Sequence, residues 1–232
     1  SVSAPEQDLT GFLSSALSVG KVCLEMRDPL IVHHLDCDGI SSGALVAAAR
    51  RSKGMPFRTQ VLKRVDAEGL KLVAGMSEEL IFVDLGASSL DLLEKHLQGK
   101  KVIVIDHHPP TVEQASGSWV DVSCNPHFFG FDGAYDASGA STAYFCFRDL
   151  DNALLNELGV VGAVGDMQDQ RGFIGLNKIM LEDGVSRGSI FSTRDLKLFG
   201  RVSRPLVWFL AYCTEPFLPG LSGDEKACAR FL

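Results

Sequence analysis

Apolar positions along this chain keep two rhythms. Around Thr10 to Met26 they recur at helical spacing (Leu9, Phe12, Leu13, Leu17, Val22 and Leu24), which predicts a helix packed along one side and broken near Gly20. Three short apolar runs behave differently: LIVHHL after Pro29, LIFVDLG at 80–86 and KVIVI at 101–105. Brief, unbroken runs rich in β-branched residues read as strands buried on both faces of a parallel sheet. Helical stretches separate them. SGALVAAARRS is one, with Ser41 and Ser42 placed to cap it and Lys53-Gly54 to stop it. PFRTQVLK reads as a further strand, and helices are predicted over Ala67–Met76 and Leu90–Leu97. Strands alternating with helices at this spacing predict a doubly wound, mainly parallel α/β sheet with helices on both faces.

Beyond Pro110 the pattern loosens. Trp119–Val122 reads as a strand and Asn125–Asp136 as a loop. SGASTAYFCFRDL and NALLNELGVVGAVGDMQDQ read as helices, the second running into Gly165-Asp166. From Gly172 onward come helical segments, RPLVWFLAYC among them, then the turn-rich FLPGLSGDE and a last helical start, EKACARFL, that reads as cut short. The expected organisation is one α/β domain over 1–170 and a helical extension or connector over 171–232.

The strands end in chemistry. Asp36 and Asp38 follow the first, Asp84 ends the next, and Asp106, His107 and His108 end KVIVI, where Pro109 and Pro110 turn the chain out of the sheet. Chance would scatter such residues between both ends of the strands. In open α/β sheets ligands sit outside the carboxyl ends of the strands, and Asp166 joins these groups from a later helix end. So many carboxylates in one place repel one another unless cations neutralise them. Oxygen donors suit Mg²⁺ or Mn²⁺, and added imidazoles favour Mn²⁺ or Zn²⁺. Two Mn²⁺ ions are therefore the expected cofactors, with Mg²⁺ the alternative. Such a pair activates water and clamps an in-line phosphoryl displacement.

Composition changes this picture little. The formal charge is −7, and two divalent cations would offset more than half of it. No apolar run approaches the roughly 20 residues of a membrane helix, so no membrane is expected as a partner. The first residues carry no signal-peptide pattern. Six cysteines are scattered without a CxxC pair, which suits reduced thiols and a cytoplasmic location. From Arg50 to Arg64 six basic residues occur with no acid between them. The run reads equally as a solvated helix end and strand edge or as a phosphate track led by Arg50 and Arg51. Ser138, Ser141 and Thr142 read as helix caps, and a helix N-terminus also binds anions, which makes Ser141 a candidate substrate contact. No GxSxG elbow and no GKS/T loop occurs, which removes serine-hydrolase and P-loop readings.

LDCDGISSGAL, FVDLG, VIDHHPP and AVGDMQD, in this order, resemble the four motifs of the DHH phosphoesterase superfamily. The tail LKLFGRVSRP and CTEPFLPGLSGDEKACARFL resembles the archaeal RecJ-like branch, the group that includes the nuclease associated with the GINS replication complex. The likeness covers nearly the whole chain. It implies that Asp36 and Asp38 each hold a metal, that Asp84 bridges two ions, and that His107 and Asp166 complete the set. It further implies that Asp106 orients an imidazole and that His108 faces the substrate phosphate, the two forming the catalytic pair. His34 is a further candidate ligand, since several relatives place a histidine just before the first acid. The alternative for His33-His34 is that one packs in the sheet while the other lines the cleft.

The activity implied is Mn²⁺-dependent 5′→3′ exonucleolytic hydrolysis of single-stranded DNA or RNA, in repair or replication, with GINS proteins as partners. Two alternatives stand beside it. One is a phosphoesterase for short oligonucleotides, cyclic dinucleotides or pyrophosphate. The other is a replication scaffold without catalysis, against which the intact acids argue. RecJ-type relatives also carry a C-terminal substrate-binding domain with a GGGH-like motif, and none occurs before Leu232.

Overall fold

The computed structural model describes residues 6–111, 123–170, 172–193, 200 and 202–232. They form two compact units, 1–191 and 192–232. In the first unit, helix α1 (Leu9–Glu25) leads into strand β1 (Leu30–His33), α2 (Cys37–Ser52), β2 (Arg58–Val61), α3 (Ala67–Met76) and β3 (Glu79–Val83). There follow α4 (Leu90–His96), β4 (Lys101–Ile105), β5 (Ser123–Cys124), α5 (Gly139–Cys146), α6 (Ala153–Gly165) and α7 (Gly175–Ser186). The strands are parallel and ordered β2-β1-β3-β4-β5.

Alternation along β1, β3 and β4 explains why those strands are almost wholly apolar, while β2 at the sheet edge is the largely exposed RTQV. Ile31, Ile81, Val83, Ile103 and Ile105 pack on one face in the same core as α1, α2 and α5. Leu30, Val32, Leu80, Phe82, Val102 and Val104 pack on the other with residues of α3 and α4. Helices thus cover both faces, which favours apolar side chains on each. The chain leaves β1 toward β2 on one side and comes back as β3 on the other. That reversal opens a crevice at the carboxyl ends of β1 and β3, the customary binding position in such a sheet.

Several local expectations change. Helix α1 is not broken at Gly20. Instead a Cβ there would lie 1.8 Å from the Cys146 carbonyl oxygen, so the glycine is what lets α1 and α5 touch backbone to backbone. Helix α2 starts ahead of Ser41 and Ser42. Asp36 is its N-cap and accepts from the Gly39 amide at 2.9 Å, while both serines lie buried inside the helix. The stretch Asn125–Asp136 contains a short 3₁₀ turn, Pro126–Phe129, capped by Asn125. The strand expected at Trp119–Val122 lies outside the described residues.

The expected boundary at 170 also moves. Helix α7 belongs to the first unit because its Leu176 and Met180 pack into the core formed with α5 and α6. Asn156 of α6 donates to the Met180 carbonyl at 3.2 Å, and Asp183 binds Arg148 and Tyr144 at 2.6 and 2.9 Å. The second unit holds α8 (Leu206–Ala211) and α9 (Glu225–Phe231) around a small core of Phe209, Leu210, Ala211, Cys213 and Cys228. Among the described residues no helix is long and apolar enough to cross a membrane.

Candidate metal centre

Each strand end delivers its group through a distinct local device. After β1 the chain turns, and Asp36 caps α2 with one carboxylate oxygen while the other lies 2.8 Å from His34 Nδ1. Asp38, in the first turn of α2, is buried and accepts from the amides of Gly139 and Ala140 at 2.7 and 2.9 Å. The start of α5 therefore holds Asp38 in place. Asp84 follows β3 with φ +58°, in the left-handed region that is uncommon for non-glycine residues, although aspartate enters it more readily than most. Gly139 makes room for it, since a Cβ there would stand 2.6 Å from Asp84 Oδ1. Asp166 is the C-cap of α6.

These groups converge as two donor sets that meet at Asp84. In one, His34 Nδ1 faces Asp36 Oδ2 at 2.8 Å and Asp84 Oδ2 at 3.8 Å. In the other, His107 Nε2 faces Asp84 Oδ1 at 3.2 Å, Asp38 Oδ2 at 3.8 Å and Asp166 Oδ2 at 3.9 Å. Donor atoms of His34, Asp36 and Asp84, and separately of Asp38, His107 and Asp166, lie within 4.8 Å of one another.

The histidine partners fit a pair of cations. His107 Nδ1 sits 2.7 and 3.0 Å from the carbonyls of Gly133 and Ala137. Carbonyls only accept, so Nδ1 carries the hydrogen and Nε2 is left as the ligand atom. His34 repeats the device in the other sense, with Nε2 3.2 Å from the Lys63 carbonyl and Nδ1 toward the acids. A bare ring nitrogen against carboxylates is repulsive unless a cation or proton stands between them. Asp84 Oδ1 supplies the second sign. It is buried and has no aligned hydrogen-bond donor among the described residues.

Electrostatics agrees. Burial, with Asp38 nearby, drives the Asp84 carboxyl up to about 7 against the pull of His107. Burial likewise raises Asp38 despite His107 and the Ala140 amide. Burial alone would lower His107, but the Asp84, Asp38 and Asp106 carboxylates outweigh it and raise the imidazole to about 10. Without metal, a proton on His107 is the cluster's internal counter-charge.

Asp106 plays a separate part. It is fully buried and accepts from the amides of Ala87, His107 and His108 and from His108 Nδ1, the last at 2.7 Å. Burial would raise its carboxyl, but the His108 bond and the two imidazole charges hold it below the usual range. The imidazole it orients is thus His108, whereas His107 is oriented by backbone carbonyls. The bond to Asp106 in turn raises His108. His108 is half-exposed and lines, with His34, Lys63, Arg64, Asp84 and Ser89, a crevice of about 260 Å³.

Three candidate substrate contacts fall away. Arg50 is fully buried and donates to the carbonyls of Cys23, Met26, Arg27 and Pro56. Arg50 and Arg51 close the far end of α2, roughly 18 Å of helix from Asp38 at 1.5 Å per residue, and Arg51 stands over the Phe57 ring at 5.9 Å. Ser141 is fully buried in a reciprocal cap with Ser138. Within the basic run it is Lys63 and Arg64, rather than the two arginines that lead it, that reach the crevice. His33 packs in the sheet against Gly43, which leaves His34 for the cleft. Sequence reasoning also passed over Gln168 and Asn177, although Gln168 stands inside the AVGDMQD motif. Gln168 donates to Asp166 Oδ2 at 2.7 Å.

The same fold recurs in known proteins. Residues 198–232 match the DHH-CID domain. An uncharacterised protein of Methanocaldococcus jannaschii is 28% identical over 209 residues, covering 85% of this chain and 46% of that protein. An exonuclease RecJ bound to manganese superposes with a TM-score of 0.59 at 18% identity, covering 80% of this chain and 49% of that one. RecJ of Thermus thermophilus in complex with Mn²⁺ gives 0.58 at 19% identity over 79% of this chain and 28% of that one. The chain thus spans less than half the length of these relatives. Residues 29–158 match the DHH family, N-terminal domain, more than half of the sequence and every strand-end acid from Asp36 to Asp106: this chain belongs to the DHH family.

Proposed function

We propose that the chain is the metal-binding half of a metal-dependent phosphodiesterase, a RecJ-like exonuclease acting on single-stranded DNA or RNA in the 5′→3′ direction. The observation that carries this reading is the pair of donor sets sharing Asp84. His34, Asp36 and Asp84 would hold one ion, and Asp38, His107, Asp166 and Asp84 the other, with Mn²⁺ the preferred metal for mixed oxygen and nitrogen donors. Such ions, when bound, supply Lewis acidity toward water and a phosphoryl oxygen.

The chain's own residues do the remaining work. Asp106 fixes the His108 ring through Nδ1, leaving Nε2 directed away from that bond to meet a phosphate oxygen or a leaving oxygen at the crevice. His108 is held protonated more readily than a free imidazole, which suits that charge. Lys63 adds positive charge along the crevice wall, beside Arg64, which is paired to Asp66 at 2.7 Å, and offsets, for a polyanion, part of the acidity of the whole chain. The GINS association that the resemblance implies belongs to this reading too, and co-elution of the chain with GINS proteins tests it.

The deciding experiment offers a labelled single-stranded 30-mer, a dinucleotide and pyrophosphate to the chain in Mn²⁺. Preferential shortening of the 30-mer from its 5′ end, lost in Asp84→Ala, is the expected result. Preference for pyrophosphate or the dinucleotide would overturn the polynucleotide assignment, and turnover unaffected by Asp84→Ala would overturn the site.

A further inference from the structure

Gln168 and Asn177 lie next to one of the two donor sets, that of Asp38, His107 and Asp166. The turn after α6 brings Gln168 there, and α7 supplies Asn177. Met167, at φ +59°, occupies the left-handed position that usually falls to glycine. Its amide bonds to the Val164 carbonyl at 3.0 Å, and that of Gln168 to Ala163 at 3.1 Å, the paired closing bonds of a helix C-terminus. This turn leaves Asp166 at the cap and folds Gln168 back beneath it, 7% exposed. Holding a bulky residue in this conformation costs about 1 kcal/mol or more.

The Gln168 amide nitrogen then makes three contacts: Asp166 Oδ2 at 2.7 Å, the Gly133 carbonyl at 2.9 Å and the Ala137 carbonyl at 3.1 Å. These carbonyls are the ones that accept from His107 Nδ1. The Gln168 carbonyl oxygen accepts from Asn177 Nδ2, a contact that fixes which way round the amide lies. Asn177 is fully buried, and its own oxygen accepts at 3.3 Å from the amide of Ser138, the residue that caps α5. The next two amides of that cap, from Gly139 and Ala140, hold Asp38.

From this we infer that the buried Asn177–Gln168 relay positions Asp38, His107 and Asp166 together for one of the two metal ions, leaving the His34–Asp36 ion independent of it. The inference rests on the two-ion reading above. An amide suits the task because its nitrogen donates to one carboxylate and two carbonyls while its oxygen is anchored. A carboxylate of the same shape at 168 would repel Asp166 and both carbonyls. Gln168 and Asn177 are positioning residues, since neither reaches the reacting atoms.

Mn²⁺ titration of the whole chain by calorimetry and by electron paramagnetic resonance tests this. The parent chain should bind two ions, with the spin-coupled signal of a close pair. Gln168→Glu should weaken the second binding step by about 10- to 100-fold, the usual loss for such supporting partners, while the first step keeps its affinity and the signal becomes that of an isolated ion. Gln168→Met should do the same more mildly. Asn177→Asp keeps the size of its side chain, removes the Nδ2 donor to Gln168 and to the Tyr135 carbonyl and sets a carboxylate against the Gln168 oxygen, so it carries the same expectation should the Gln168 variants fail to fold. Two ions bound with parental affinities by folded variants, or both steps weakened alike, would overturn the relay. A parent chain that binds fewer than two ions would instead overturn the two-ion reading, and the relay with it.

Discussion

With divalent ions removed, stability should fall as pH rises from about 6.5 to 8, and Mn²⁺ should abolish that fall. The cause is His107, whose imidazole is raised to about 10 by the surrounding carboxylates although burial opposes it. In the unfolded chain it titrates near 6.5. A base raised on folding gives its full stabilisation below the unfolded value and loses it as pH climbs toward the folded value. The slope cannot exceed about 1.36 kcal/mol per pH unit, so over this window the loss is about 1.5–2 kcal/mol. Asp84, pushed up to about 7 chiefly by burial, works in the same direction. It is an acid raised on folding, so its cost accumulates from about pH 4 and is nearly complete by about pH 8. The two form one ion pair, so their effects are not summed. At about 2–4 °C per kcal/mol for a domain of this size, the melting temperature in EDTA should drop by about 3–8 °C.

In Mn²⁺ at about 100 times its dissociation constant the metal adds about 2.7 kcal/mol, and that gain should grow with pH as protons cease to compete for the ligands. Thermal melts at half-unit pH steps, with EDTA and with Mn²⁺, give both curves. A melting temperature in EDTA that stays level or rises over this window would refute the argument.

Gly139→Ala should cost about tenfold or more in Mn²⁺ affinity, because the added Cβ would stand 2.6 Å from Asp84 Oδ1 and displace the shared carboxylate; unchanged affinity by calorimetry would show that the approach is not tight. Arg50→Met should cost about 3 kcal/mol or more by urea melts, since it strips several buried carbonyls of a charged donor. It should leave Mn²⁺ affinity of the folded protein unaltered, and loss of metal binding with stability intact would return Arg50 to the site.

What the sequence determined by itself was the sheet and the acids at its edge. Burial on both faces forces VIVI at 102–105, LIFV at 80–83 and LIV at 30–32 to be apolar, so the first charged residue after each run marks where a strand leaves the core. Asp36, Asp84 and Asp106 are legible for that reason, and the rule that parallel strands present one edge to ligands brings them together. Local patterns, however, carry no information on what a polar side chain meets across the fold. Arg50 and Arg64 belong to one basic run, yet one is sealed among carbonyls and the other reaches the crevice, a division set by the length of α2. Ser41 and Ser42 look like caps, but Asp36, more than a turn earlier, does that work while also facing His34.

The partners of the site residues were decided only in three dimensions. Asp38 is held by amides 101 and 102 residues away, His107 by carbonyls of a loop, and Asp166 by Gln168, whose role depends on Asn177 of the next helix. Gly20 reads as a helix breaker until α5 lies against it. Periodicity records which side chains must leave water. The pairing of buried polar groups depends instead on distance and direction between remote segments, which only the packed chain fixes.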